Sequence, residues 1–237
     1  MTGVQTCALP IFFIESPFAS PIVETGASVS HTEARFLAPC EPRVILGMAH
    51  NGSPKERQAP PQAFAKSSRT AAGPGDVIGL EERVGRVVVE AELAIVVGRE
   101  CRGLTEENAL DAVLGFTAGN DVSATGQMEL DSFWTQTKNG VNFTPLGPWI
   151  ETDLDPLNAG IRLWGDGELL AEASTSQLAR NAIEVLVYAS RYVTLGPGDV
   201  VLCGCPGTLT EAVAGHEYGV EIVGLGTLTN RAELIDS

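Results

Sequence analysis

The stretch VVVEAELAIVVG, from Val87 to Gly98, decides how this sequence folds. Apart from two glutamates it consists of Val, Ala, Leu and Ile up to its closing glycine, which is typical of a strand buried on both faces. Side chains alternate along a strand, so Glu90 and Glu92 point to the same face. The sequence therefore predicts a buried strand with two carboxylates side by side.

Two neighbouring carboxylates on an apolar face carry an energetic cost. Burying an unpaired carboxylate is expensive, and a second carboxylate beside it adds repulsion. A nearby cation, a shared proton or an edge open to water relieves this cost. A hard divalent metal ion satisfies the first condition, because such ions prefer carboxylate oxygens. The alternative is a solvated strand face, since glutamate is mostly an exposed residue.

Length and composition indicate one domain of ordinary size, either alone or with a small N-terminal appendage. The 237 residues carry a formal net charge of −15, and the pI is near 4.5. We expect a cytoplasmic protein that binds neither nucleic acid nor membranes, because both partners require basic patches. Five cysteines without a Cys-x-x-Cys pair indicate reduced thiols.

The first residues, MTGVQTCALPI, differ from the rest of the chain. Thr2 to Ile11 back-translate into codons similar to a common sequencing-library adapter, so we interpret residues 1–11 as an artefact of sequence assembly. They lack the positively charged start of a secretory signal. We interpret residues 12–39 as the remnant of an N-terminal appendage and residues 40–237 as the main domain.

Hydrophobic patterns predict many strands and two helices. Strands are predicted for RVILGMAH, Arg43–His50, and for the glycine-punctuated tail from Asp199 onward. Helices are predicted within Leu104–Gly119 and over Thr175–Tyr192, where apolar residues recur near the helical period. The regular strand–helix alternation of a doubly wound parallel sheet is missing. The sequence thus predicts an α+β domain that is mostly β-structure.

Five motifs then occur in a fixed order: EAELAIVVG, AGNDVSATGQ, a lysine before FTPLGPWI, LGPGDVVLCGCPG and VEIVGLGTLTN. Together they resemble the fumarylacetoacetate hydrolase family over Phe36 to Leu234. The resemblance implies that residues 40–237 form a catalytic domain, a mixed β-sandwich or roll with a few helices. It also implies a homodimer, bound Mg²⁺ or Mn²⁺, and small-molecule 2-oxo acids as substrates.

The resemblance assigns roles to four charged residues. The three metal carboxylates of the family fall on Glu90, Glu92 and Asp121, and its active-site lysine falls on Lys138. Oxygen ligands of this kind suit Mg²⁺ and Mn²⁺. A fixed ammonium suits the carboxylate of a 2-oxo acid and the enolate that develops from it.

Other positions match less closely. Gln127 falls on a substrate-proximal glutamine, and Cys205 falls in the substrate-binding TGTP motif, which reads CGCP here. Lys66 lies in a matching segment, but we interpret it as a structural or surface lysine. Thr125 and Val141 stand where many members have an arginine and an aspartate. These changes make the predicted pocket less charged and favour a less polar substrate tail.

The water-activating pair of the family is altered. Hydrolytic and decarboxylating members have a histidine and a glutamate three residues apart. Here Glu56 keeps the acidic position, whereas Ser53 occupies the histidine position and His50 lies three residues earlier. His50 either reaches the site from the loop or is a structural residue at the strand end.

These residues predict a divalent-metal-dependent hydrolase that cleaves a C–C bond in a 2-oxo acid of the acylpyruvate or fumarylacetoacetate type. The alternatives are a decarboxylase, isomerase or hydratase of 2-oxo or 2-hydroxydienoic acids in aromatic compound catabolism, and a non-catalytic relative. Lys138, Glu56 and His50 are the predicted catalytic residues. The motifs of serine hydrolases, P-loop NTPases and Rossmann enzymes do not occur in the sequence.

Overall fold

The structure, a computed structural model, describes residues 11–19, 21–30 and 32–236. The chain divides into two compact units, Met1–Phe36 and Leu37–Ser237. In the first unit, strand β1 (Ile11–Ile14) pairs antiparallel with β2 (Glu24–Val29). The segment interpreted as an adapter artefact lies, except for Ile11, outside the described residues.

The second unit contains thirteen strands and two α-helices within its described part. In chain order these elements are β3 (Ile45–Ala49), β4 (Gln62–Lys66), β5 (Ala71–Ala72), β6 (Ile78–Leu80), β7 (Val88–Val97), β8 (Val113–Asn120), α1 (Thr135–Lys138), β9 (Thr144–Glu151), β10 (Gly160–Gly165), β11 (Glu168–Ser174), α2 (Ala182–Tyr192), β12 (Val200–Leu202), β13 (Leu209–Glu211), β14 (Glu217–Ile222) and β15 (Gly226–Leu234). The predicted α+β class, mostly β, is confirmed.

Two β-sheets form the body of this unit. The larger sheet has the order β4-β3-β12-β7-β8-β9-β5, with β13 paired to one end of β7, and the smaller has the order β11-β10-β14-β15-β6. Strand β7 lies in the middle of the larger sheet, antiparallel to both β12 and β8. Ala91, Leu93 and Ile95 on one face of β7 join Ile161 and Val220 of the smaller sheet in one buried apolar cluster.

The predicted helix within Leu104–Gly119 is wrong. A single 3₁₀ turn spans Leu110–Ala112, and β8 begins directly after it. Of the apolar stripe that suggested a helix, Leu110 lies in this turn, whereas Val113 and Leu114 belong to a strand that pairs with β7 on one side and β9 on the other. Pairing on both sides outweighs a short local period, because neighbouring strands decide strand formation more than intrinsic propensity does.

The second predicted helix is confirmed over its C-terminal part as α2. It begins later than predicted, because the Asn181 side chain accepts a hydrogen bond from the Glu184 N–H and the Glu184 carboxylate accepts one from the Asn181 N–H. This reciprocal cap fixes the first turn. Within the described residues, no helix is long and apolar enough to cross a membrane.

Candidate active site

Strands β7 and β8 bring three carboxylates together. Glu90 and Glu92 project from one face of β7, and Asp121 follows the last residue of β8. The Asp121 N–H donates to the Glu90 carbonyl oxygen at 2.9 Å, which continues the pairing of the two strands. As a result, one carboxylate oxygen from each side chain lies within 4.8 Å of the other two.

Glu92 and Asp121 are buried and Glu90 is half-buried, and the three carboxylates differ in pKa. Burial, followed by repulsion from Asp121 and Glu90, raises the pKa of Glu92 well above its usual range. Burial also raises the pKa of Glu90, although Lys138 opposes this effect. Burial alone would raise the pKa of Asp121, but Lys138 and Lys66 outweigh it and the pKa falls below its ordinary value. Asp121 is therefore the carboxylate most firmly held in its charged form.

Two lysines approach Asp121 from opposite sides. The Lys138 ammonium contacts Asp121 Oδ2, donates to Ser123 Oγ at 2.6 Å and lies 3.4 Å from Glu90 Oε2. The Lys66 ammonium donates to Asp121 Oδ1 at 2.5 Å and to the carbonyl oxygens of Val122 and Phe143. Every donor on Lys66 thus has an acceptor, which is what a fully buried ammonium requires.

Lys138 keeps its charge in this position. Burial opposes the charged form, but the nearby carboxylates of Asp121 and Glu90 outweigh burial and raise the pKa of Lys138 above that of an ordinary lysine. Its position is set by the short helix α1. Asp131 accepts the Thr135 N–H at 3.0 Å and the Thr137 N–H at 2.8 Å, which satisfies backbone donors that have no partner within the helix.

The side chains of the cluster open into a cleft of about 220 Å³. Its wall includes the three carboxylates and Lys138, together with His50, Glu56, Thr125 and Cys205. Seven of the eight residues predicted for the site therefore meet in one place. The exception is Gln127, whose amide donates to the Val84 carbonyl oxygen at 3.1 Å and which does not line the cleft.

The loop after β3 forms one rim of the cleft and is anchored by Asn51. The buried Asn51 amide donates to the carbonyl oxygens of Cys203 and Arg180, and its oxygen accepts the Arg180 N–H. Glu56 Oε2 accepts the N–H groups of Gly52 and Ser53 at 2.6 and 3.0 Å. The carboxylate of Glu56 is thereby held in place through one oxygen.

His50 does not form a pair with Glu56. Its ring packs edge-on against Trp134, with ring centroids 6.0 Å apart. The backbone φ angle is 52° at His50 and 58° at Trp134. Both values lie in the left-handed region, which residues other than glycine seldom occupy. Among the described residues, the cleft holds no hydrogen-bonded histidine–carboxylate pair.

Two cysteines lie beside the carboxylates. Cys203 is fully buried, and burial followed by the charge of Glu92 raises the pKa of its thiol. Cys205 faces the cleft, and burial followed by Glu90 and Glu92 raises the pKa of its thiol as well. Both thiols are therefore neutral near pH 7, and the Cys205 thiol offers the cleft a weak, uncharged donor. The four cysteines in the described residues are free.

The residues of the cluster fit a hard divalent metal ion. Glu92 is 3% exposed, and the Gly204 N–H at 2.7 Å donates its one side-chain hydrogen bond among the described residues. Neither lysine pairs with it, so three carboxylates face two ammonium groups. A buried carboxylate without a cation requires a counter-charge, and an all-oxygen donor set suits Mg²⁺ or Mn²⁺.

Sequence reasoning missed several residues that shape the site. Lys66 was predicted to be a structural or surface lysine; it is wholly buried against Asp121, so the surface alternative is wrong. The signal that was available is its place in the alternating strand QAFAK, where its side chain shares a face with Phe64. The supporting role of Asn51 depends on contacts with Arg180 and Cys203, which are distant in the chain and leave no local pattern. Asp131 accepts N–H groups only four and six residues later, so an aspartate just before α1 was an available local signal of helix capping.

The fold and the site define a class of protein: a β-rich domain with a buried carboxylate triad and a lysine at the wall of a small cleft. Residues 38–233 match the family model described as fumarylacetoacetate (FAA) hydrolase C-terminal. The chain belongs to this family, as its motifs predicted.

Three relatives show the range of reactions in the family. The crystal structure of 2-hydroxyhepta-2,4-diene-1,7-dioate isomerase from Mycobacterium marinum is 35% identical, with a TM-score of 0.91 over 97% of this chain and 90% of the isomerase. The mitochondrial oxaloacetate tautomerase fahd2 of Xenopus laevis is 36% identical over 190 residues, which cover 75% of this chain and 60% of the tautomerase.

The third relative is maleylpyruvate hydrolase from Sphingobium sp. SYK-6, solved in complex with manganese(II) ion and pyruvate. It is 26% identical, with a TM-score of 0.78 over 89% of this chain and 78% of the hydrolase. The named relatives are thus enzymes of the isomerase, tautomerase and hydrolase types, and one of them binds a divalent metal.

Proposed function

We propose that the protein is a divalent-metal-dependent enzyme that shifts a proton within a 2-oxo acid, as a keto–enol tautomerase or a double-bond isomerase. The observation that carries this proposal is the Lys138 ammonium beside the carboxylate triad in the wall of the cleft. An enolate of a 2-oxo acid places negative charge next to a carboxylate, and a fixed cation in a poorly hydrated site stabilises both. The relatives named as isomerase and tautomerase support this reaction class.

Glu90, Glu92 and Asp121 would hold Mg²⁺ or Mn²⁺. When bound, the ion would act as a Lewis acid that polarises the oxygens of the substrate, and its charge would balance that of the carboxylates. The uncompensated burial of Glu92 supports this assignment. The relative that contains manganese and pyruvate supports the class of ion.

Two side chains would act on the substrate directly. Lys138 keeps its proton, so it serves as a fixed cation for the substrate carboxylate or the enolate oxygen. Glu56 is placed to act as the base, because its Oε1 makes no hydrogen bond to the described residues while Oε2 is held by two N–H groups. Glu56 takes a proton from the carbon beside the 2-oxo group and returns it to another atom of the same enolate, so the proton balance closes.

Cleavage of a C–C bond in an acylpyruvate is the second candidate. Glu56 and His50 both line the cleft, and a carboxylate with a free oxygen can activate water as well as accept a proton from carbon. Decarboxylation would use the same enolate and the same lysine. The missing histidine–carboxylate pair favours the proton shift, which needs no activated water.

The test begins with metal binding. Mn²⁺ is titrated by calorimetry in the presence of oxalate, an enolate mimic, into wild type, Glu92→Gln and the exposed control Glu168→Gln. We expect Glu92→Gln to bind Mn²⁺ about 100-fold more weakly, since losing even an outer-shell partner costs about 10- to 100-fold. The control should match wild type.

The reaction is then assigned by ultraviolet absorbance. Enol-to-keto conversion of oxaloacetate and of phenylpyruvate is followed alongside hydrolysis of acetylpyruvate. We expect faster tautomerisation than hydrolysis, and its loss in Glu92→Gln and Lys138→Met. Dominant hydrolysis would favour the second candidate. Metal binding without any turnover would instead indicate a non-catalytic binding protein.

A further inference from the structure

An aromatic wall leads away from Lys138. The Lys138 ammonium lies 4.4 Å from the centroid of the Phe64 ring and 5.8 Å from that of Trp134. The two rings are themselves 5.3 Å apart, in a tilted arrangement. Trp134 is held in a left-handed backbone conformation immediately before α1. The wall therefore has a fixed orientation relative to the ammonium group.

The same wall borders a second cavity outside the carboxylate cleft. This groove has a volume of about 550 Å³ and shares Ala49, Phe64 and Trp134 with the cleft. Its other lining residues include Phe133 and Tyr188, and none of its lining residues carries a charge. Phe133 is 90% exposed, an unusual state for a phenylalanine on a protein surface.

The charges in the cleft disfavour a second carboxylate on the substrate. Lys138 and His50 are the cationic or potentially cationic side chains that line it, and Lys138 already contacts Asp121 and Glu90. Glu56 adds a further negative charge to the wall. The hydroxyl of Thr125, which is also on the wall, donates a hydrogen bond to the Arg86 carbonyl oxygen at 3.2 Å. A second carboxylate in the cleft would therefore meet more carboxylates than cations, and in the groove, whose lining residues carry no charge, it would find no cation.

We propose that the groove is the binding site for the substrate tail, and that this tail is an uncharged ring. The substrate class is then a 2-oxo monocarboxylic acid with an aryl-sized tail that packs against Phe64, Trp134 and Phe133. This inference rests on the proposed function, because it takes the 2-oxo acid head to lie in the carboxylate cleft. The groove volume of about 550 Å³ is several times the volume of about 150 Å³ in which a benzene molecule fits.

Three unreactive compounds that share the oxamate group and differ in their tail measure the contribution of the tail to binding without any turnover. Oxamate has no tail, oxalylglycine carries a carboxylate tail, and oxanilate carries a phenyl tail. Binding of each to the Mn²⁺-loaded protein is measured by calorimetry. We expect oxanilate to bind about tenfold more tightly than oxamate, because aromatic contacts of this kind reach that size. Oxalylglycine should bind no more tightly than oxamate.

Two variants of the same exposed segment locate the tail. Phe133→Ala should lower the ratio of oxanilate to oxamate affinity by about threefold. Leu130→Ala is the matched control, because Leu130 is 79% exposed and lines neither the groove nor the cleft. The ratio in Leu130→Ala should equal that of wild type.

The outcomes distinguish the two proposals. Failure of all three compounds to bind would overturn the proposed function together with this inference. Tight binding of oxamate and oxalylglycine without preference for oxanilate would overturn the inference alone. Light scattering is measured on the same samples. A changed oligomeric state in Phe133→Ala with an unchanged affinity ratio would show that Phe133 serves a protein interface, which also overturns the inference.

Discussion

Both faces of strand β7 are largely buried, but they differ in chemistry. On one face Leu93 has no exposed surface, and on the other Glu92 is only 3% exposed. Leu93 packs into the apolar cluster between the two sheets, whereas Glu92 lies within the carboxylate triad. Burial alone therefore does not identify a structural core. The partners of a buried side chain decide whether it stabilises the fold or serves a site.

The two faces also contribute to stability with opposite signs. On the face that meets the smaller sheet, Leu93 and Ile95 each stabilise the fold by about 1.5–3 kcal/mol through removal from water. On the other face, burial and mutual repulsion raise the pKa of Glu92, so its charged form is disfavoured in the folded protein. Such a cost is typical of functional sites, where local rules of folding are broken.

Removal of the buried Lys66 ammonium from the face of β7 that carries Glu90 and Glu92, called the acidic face, should have the largest effect on stability. In Lys66→Met, Asp121 loses one ammonium, and the carbonyl oxygens of Val122 and Phe143 lose their donor. Breaking a buried ion pair from one side costs about 3–5 kcal/mol. We expect a decrease of this size in the free energy of unfolding, measured by urea denaturation.

The control for this prediction is Lys55→Met, at an exposed lysine of the loop after β3. Its free energy of unfolding should change by less than about 0.5 kcal/mol. Equal effects of the two substitutions would contradict the view that the acidic face depends on its buried cation.

A cavity on the opposite face of β7 should lower stability somewhat less and should leave metal binding unchanged. Leu93→Ala should lower the free energy of unfolding by about 2–4 kcal/mol, because it leaves a cavity between the sheets. Mn²⁺ affinity, measured by calorimetry on the folded variant, should stay close to that of wild type. A large loss of Mn²⁺ affinity in Leu93→Ala would show that the two faces are not independent.

The sequence predicted the parts of this comparison that lie within one strand. Alternation placed Glu90 and Glu92 on one face, and motif order brought in Asp121. The same method failed where contacts come from a distance. The period around Leu110 predicted a helix, yet Val113 begins a strand that pairs opposite Val97, and no local pattern shows that pairing.

Lys66 illustrates the same limit within the site. A lone lysine in a short segment is ordinarily exposed, and its burial becomes evident only when Asp121 and Phe143 are placed beside it. The motif resemblance predicted Lys138 as the active-site lysine, and in the structure Lys138 lies in the wall of the cleft. The resemblance also predicted that Glu56 and His50 belong to the site. That the two side chains are not hydrogen-bonded to each other could be seen only in the structure.

The smallest effect on stability is expected at Asp131, which caps the helix that carries Lys138. Asp131 has no contact with the carboxylate triad, yet it accepts two N–H groups at the start of α1, which carries Lys138. Burial would raise the pKa of Asp131, but the N–H groups of Thr137 and Thr135 outweigh it and lower the pKa below the ordinary value. Asp131→Asn should lower the free energy of unfolding by about 1 kcal/mol at pH 7.

This last effect should depend on pH with a defined sign. Because the folded-state pKa of Asp131 lies below the unfolded value of about 3.9, the stabilisation is fully present above that value and is lost as the pH falls through the folded-state pKa. The difference between wild type and Asp131→Asn should therefore be largest near neutral pH and shrink towards about pH 2. Urea denaturation across this range measures it, with the exposed Asp153→Asn as the control. A difference that stays constant would mean that Asp131 supports α1 by its shape and not by its charge.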